Sequence, residues 1–174
     1  MMIRLWLSAA ALALTGAHTA AAQTTRPLVE NADTHYFDFF VGRWFPAVDG
    51  RVDTTGTSFT VRRSVNAAAF EEQWAQRLDN RVLRSVAFRA WDQVANRWMF
   101  SWVSDNGLFQ VWQGEKVGDD WYIVREFDFE GQKFLSRQAW IPDGPNRLTR
   151  VMERSTDGGK TWQTRSRGVF QRVE

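Results

Sequence analysis

Glu71 and Glu72 stand between Phe70 and Trp74 in a stretch of extended character. Successive strand side chains point to opposite faces, so one of the two carboxylates must share the face of the buried rings. Phe70, Glu72 and Trp74 fall on one face by this count. An inward glutamate has two uses. Paired with an inward arginine such as Arg125 or Arg84, it is a buried ion pair that fixes register. Left free, it anchors a ligand head group or acts as a general acid, and Arg125 would suit a carboxylate on that ligand. No second catalytic partner stands at a recognisable spacing, so the catalytic residues stay unassigned. Glu126, Asp128 and Glu130 form a second acidic row at two-residue spacing. Calcium can sit on such a row, but Lys133 and Arg137 are expected to face it as a solvated ladder.

The near absence of histidine and cysteine narrows the chemistry further. There is no Cys, and one of the two His, His18, lies near the N-terminus. His35 alone remains, ahead of the strand-rich region, where a surface or helix-cap role is expected. A haem protein with a proximal strand His, a zinc site of His and Cys, and a Ser-His-Asp triad all lack their parts. No metal and no cofactor is expected.

Ser155 to Trp162, STDGGKTW, fits the Asp-box that recurs once per blade in sialidase-type propellers. A propeller needs several four-stranded blades, and one copy in one domain's length cannot supply them. The residues read instead as turn chemistry. Ser155 and Asp157 bond to the loop, Gly159 permits the bend and Trp162 packs on the sheet.

The elements that must position these residues are set by the rest of the chain. Residues 1–22 have a basic start, an apolar run and Ala20-Ala21-Ala22, the pattern of a cleaved signal peptide. Periplasmic or secreted location is the expectation. The apolar run falls short of the roughly 20 residues that span a bilayer, so no membrane span is expected. Residues 23–34 read as a mobile lead and 35–174 as one domain. The formal charge of +2 carries no run of one sign, which argues against a nucleic-acid partner. Ten tryptophans are the outlier, and they imply a very aromatic core or a lined cavity.

Tyr36, Phe37, Phe39 and Phe40 predict one or two helical turns after the cap types Asp33 and Thr34. Beyond them come about ten short alternating segments with Asn, Asp and Gly turns between them. Such a chain is all-β and antiparallel, and short turns between neighbours favour an up-and-down barrel. A two-residue turn at Glu130-Gly131 sets Phe127 opposite Phe134 and Trp121 opposite Trp140. Arg125 and Gln138 then share the inner face with them. Around Asp105-Asn106-Gly107, the same exercise puts Trp98, Phe100 and Trp102 on one face with Phe109 and Val111.

The stretch FDFFVGRW, Phe37 to Trp44, resembles the start of lipocalin-like (calycin) barrels. The resemblance implies a helical turn before Gly42-x-Trp44, with Trp44 plugging one barrel end and a basic residue of the last strand crossing its ring. Arg172 fits that position best, with Arg165 and Arg167 as rivals. The chain is also similar to secreted bacterial lipocalin-like domains of unknown function, through the early F-x-x-G-x-W, the central WDQVANRWMFSWVSDNGLFQVWQGE and the late DGGKTW. The barrel is accordingly expected to bind a small apolar or amphipathic molecule. Its candidate ligand residues are Glu72, Trp74, Phe100, Trp102, Phe109, Trp121, Arg125, Gln138 and Trp140. Two alternatives stand beside it: a barrel enzyme using an inward Glu and Arg, and an envelope interaction module with a packed interior.

Overall fold

A computed structural model describes residues 26–173, and the expected signal peptide lies outside them. A 3-10 turn, η1 (Tyr36–Phe40), precedes β1 (Gly42–Val48), β2 (Arg51–Val52), β3 (Ser58–Arg63), β4 (Ala69–Leu78) and β5 (Arg81–Asp92). Then come β6 (Arg97–Ser104), β7 (Phe109–Val117), β8 (Asp120–Phe129), β9 (Gln132–Pro142), β10 (Arg147–Ser155) and β11 (Gln163–Val173). Apart from the two-residue β2, each strand pairs antiparallel with its sequence neighbours, and β11 returns to β1. The result is a closed ten-stranded antiparallel barrel. The return of β11 to β1 removes the two outer edges that an open sheet would have.

The closing seam carries the plug. Trp44 on β1 lies opposite Arg172 on β11, whose guanidinium stands 4.8 Å from the indole ring centre. Arg172 also donates to the Phe39 carbonyl at 2.6 Å, and the Trp44 indole N–H donates to the Phe40 carbonyl at 2.9 Å. Gly42 has φ +136°, and a Cβ there would lie 2.9 Å from Arg172 Cδ. Arg172, rather than Arg165 or Arg167, crosses the ring, and Gly42 leaves it room.

Below the plug, η1 packs Phe37 and Phe40 against Trp98, Phe59 and Trp140. The residues just before η1, expected as a mobile lead, dock on the same end. Leu28 joins the core cluster, Thr34 is fully buried, and the Trp98 indole donates to the Asp33 carbonyl at 3.0 Å. The Asp33 side chain accepts from Lys116 at 2.6 Å and from Trp121 at 3.1 Å. The Lys116 hydrogen bond holds its carboxyl below the ordinary value against the opposing effect of burial. Indole N–H groups that would otherwise be buried unpaired explain why the lead is held.

The two hairpins with an expected register come out differently. At Glu130-Gly131, Phe127 pairs with Phe134 and Asp128 with Lys133, as the two-residue turn requires. At Asp105–Gly107, Ser104 N–H bonds the Leu108 carbonyl, so Trp102 faces Gln110 and Phe100 faces Trp112. Three loop residues change the parity, and a one-residue slip moves every side chain to the other face. Phe109 and Val111 therefore lie outside the barrel.

β7 is shared between its neighbours by halves. Its ladder to β6 runs from Phe109 to Gln113, and its ladder to β8 from Gln113 to Val117. The changeover falls at Gln113, beside Gly114, where a Cβ would stand 2.5 Å from the Trp98 carbonyl oxygen. Between the first half of β7 and the second half of β8, the Trp112 and Phe127 rings bridge the strands edge to face at 5.5 Å.

Truncating the plug tests this architecture. Trp44→Ala is expected to cost about 3–5 kcal/mol, the range for deleting a large buried aromatic. Denaturant unfolding measures it, and a loss below about 1 kcal/mol would contradict the plug's role.

Candidate functional site

The barrel interior divides into two parts. The end at η1 is filled by one aromatic cluster that includes Trp44, Phe59, Trp74, Trp91, Trp98, Trp121 and Trp140. Toward the opposite end, where the β4–β5, β6–β7, β8–β9 and β10–β11 turns gather, a cavity of about 380 Å³ lies inside the wall. Its apolar surface comes from Leu83 on β5, Phe100 and Trp102 on β6, Leu108 just before β7, Trp112 on β7, Phe127 on β8, Phe134 on β9 and Met152 on β10. Its polar groups are few: Gln76, Gln110, Ser136, Gln138, Arg150 and Arg154. This volume and lining match what small-molecule sites need: mostly apolar walls with a few orienting polar groups.

Glu72 and Arg89 form a buried pair that touches both parts without lining the cavity. Both side chains are about 1% exposed, and Arg89 Nε donates to Glu72 Oε1 at 3.0 Å. The other carboxylate oxygen accepts from the Trp74 indole N–H at 3.1 Å. The Arg89 guanidinium lies 4.3 Å from the Phe37 ring centre and 5.0 Å from that of Phe100. One ring belongs to the filled end and the other to the cavity wall. Glu72 points inward as the alternation requires, but its partner is Arg89, not Arg125 or Arg84. The strand pairing explains the choice. Glu72 faces Ala87 across β4–β5, so Arg89 is its diagonal neighbour on the inner face.

Arg150 is the deeper of the two cations that line the cavity. Its Nε and Nη2 both donate to Gln138 Oε1, at 3.1 and 2.6 Å. Its guanidinium stands 4.7 Å from the Trp140 ring centre and 5.8 Å from that of Trp74. Burial pushes Arg150 down to about 10, with the Glu72 charge acting in the opposite sense, so it keeps its charge at neutral pH. Nearer the mouth, Arg154 lies 4.0 Å from the Phe134 ring centre. Among the described residues no carboxylate lines this cavity, and neither arginine is within ion-pair distance of one.

Of the candidate ligand residues, the structure brings Phe100, Trp102 and Gln138 to the cavity wall. Trp74, Trp121 and Trp140 belong to the filled cluster, and Glu72 is sealed by Arg89 and Trp74. Arg125 lies instead on a groove of about 460 Å³ beside the β7–β8 changeover, with Glu115 and Glu126 among its neighbours. Phe109 is 64% exposed on the outer face, so it cannot line the interior. Arg150 is legible in principle. In LTRVMER, Leu148, Arg150 and Met152 share the face of the buried leucine.

The remaining candidates keep structural roles. Ser155 Oγ accepts from the Gly159 N–H at 2.8 Å, and Asp157 accepts from the Thr161 N–H and hydroxyl at 3.0 and 2.6 Å. The Thr161 bonds lead in holding the Asp157 carboxyl far below its ordinary value. Trp162 stacks on Arg137 at 4.0 Å, and Arg137 pairs with Glu153 rather than with the Glu126–Glu130 row. His35 bonds Glu30 and Asp38 on the surface. Among the described residues, no cluster of three or more His, Cys, Asp or Glu is placed to hold a metal ion. No helix among them is long and apolar enough to cross a membrane.

No protein-family model matches this chain, and no curated protein matches it in sequence.

A half-buried cation held by a neutral amide has its desolvation cost offset only in part, by two indole faces and the more distant Glu72 charge. Arg150→Met is therefore expected to raise stability, by about 1 kcal/mol. Denaturant unfolding of the ligand-free protein decides it, and a clear loss of stability would show Arg150 to be a packing element instead.

Proposed function

We propose that this protein binds a small, mostly apolar molecule inside the barrel, in the cavity between the Glu72–Arg89 pair and the hairpin mouth. One observation supports this reading most. The aromatic residues fill only one end, leaving about 380 Å³ lined by rings and a few polar groups. A barrel meant only as a packed scaffold would fill that space, because interiors approach crystalline density. The Gly42, Trp44 and Arg172 arrangement supports lipocalin-like ancestry as part of the same proposal. The signal-peptide pattern of residues 1–22 supports export to the periplasm or beyond as part of the proposal.

The enzyme alternative has less to stand on. Both oxygens of the inward Glu72 are engaged, by Arg89 and by the Trp74 indole, and Glu72 is not part of the cavity wall. A proton-transferring carboxyl must reach its substrate within hydrogen-bond distance.

Native mass spectrometry of protein prepared without denaturation from cells that make it tests the proposal. The expected result is an adduct lost on denaturation and missing from Ser136→Trp, whose indole would occupy the cavity. A bare wild-type protein, or an adduct kept by a folded Ser136→Trp variant, would overturn it.

A further inference from the structure

The charge inside the barrel is unbalanced, and the imbalance sits at the cavity. Arg89 is neutralised by Glu72 at 2.9 Å. Arg150 has only the Gln138 amide and two indole faces, and Arg154 has only the Phe134 ring. Both point into the same space, in which no described carboxylate lies. Four residues separate them along β10, so they stand ~13 Å apart at ~3.3 Å per residue. Rings from β6 to β9 line the space between them: Trp102, Trp112, Phe127 and Phe134.

We infer that the ligand of this cavity is an amphipathic anion whose single carboxylate-type head group meets Arg150 while its apolar body lies among those rings toward the mouth. The inference rests on the proposed binding function and names its ligand class. A guanidinium supplies a planar fork of donors that matches a carboxylate, and a charge-assisted bond away from bulk water is about twice as strong as a neutral one. The head group would supply the counter-charge that the protein withholds. Arg154, at the rim, draws the anion toward the mouth, and its charge is not needed once the head has passed. Gln138 orients the Arg150 fork through Nε and Nη2. A neutral ligand of the same shape gains the ring contacts and leaves Arg150 without its partner. Discrimination between the two is therefore built into the wall.

Two probes of nearly the same body separate the head from the apolar part: 8-anilinonaphthalene-1-sulfonate, an anion, and N-phenyl-1-naphthylamine, its neutral counterpart. Fluorescence titration of the folded wild-type protein should show the anion binding at least tenfold tighter. Arg150→Met should reduce that preference to under threefold while the neutral probe's affinity stays within twofold. Decanoate should displace the anionic probe from the wild type at concentrations where decanol does not, a readout that needs no variant. Equal affinities in the wild type, or a preference unchanged in Arg150→Met, would overturn the anion assignment and leave the apolar cavity standing. Failure of both probes to bind would overturn the assignment together with the binding reading.

Discussion

The Glu72–Arg89 pair is the constraint on which the rest of the interior depends. Two charges about 1% exposed must face each other, because an unpaired buried charge costs several kcal/mol. Their pairing fixes the β4–β5 register, in which Glu72 faces Ala87 and Arg89 is its diagonal neighbour. The rings of Phe37 and Phe40 of η1 and of Phe100 all lie within 5.4 Å of the guanidinium. The pair thus touches both the packed cluster, through Phe37, and the cavity wall, through Phe100.

The distribution of tryptophan reflects this division. At the filled end, indole N–H groups find fixed acceptors: the Phe40 carbonyl for Trp44, the Asp33 carbonyl for Trp98 and the Asp33 carboxylate for Trp121. Those bonds explain why the segment before η1 is docked. At the other end, Trp112 donates to Gln110 on its own strand, and Trp102 is only partly buried. Rings with local partners line a cavity without drawing further chain in to fill it. The change of partner along β7 contributes too, because the first half of β7 has no ladder to β8 beside this cavity.

Much of this architecture is legible in the sequence. Turn residues and alternating segments predict the antiparallel barrel, and Gly42, Trp44 and Arg172 come together at its seam. The two-residue turn at Glu130-Gly131 sets its hairpin correctly. The Asp105–Gly107 loop does not, since one residue of loop parity inverts the faces and puts Phe109 inside in expectation. β5 misleads for a different reason. Its apolar Val86 and Phe88 are exposed, while Ser85, Ala87 and Arg89 face inward. Hydrophobic alternation there points the wrong way, which hides Arg89 as the partner of Glu72. A buried ion pair overrides the pattern on which such readings rest. Arg150 is hidden for a simpler reason: an arginine on a partly polar strand looks like surface.

The central claim is that Glu72 serves the architecture as Arg89's counter-charge and that binding belongs to the space beyond it. A double-mutant cycle on this pair, monitored by denaturant unfolding, tests it most directly. Glu72→Leu and Arg89→Met are each expected to cost about 3–5 kcal/mol alone, and the combined variant to recover most of that loss while still folding. Single losses below about 1 kcal/mol that simply add would contradict the account and return Glu72 to the candidates for chemistry.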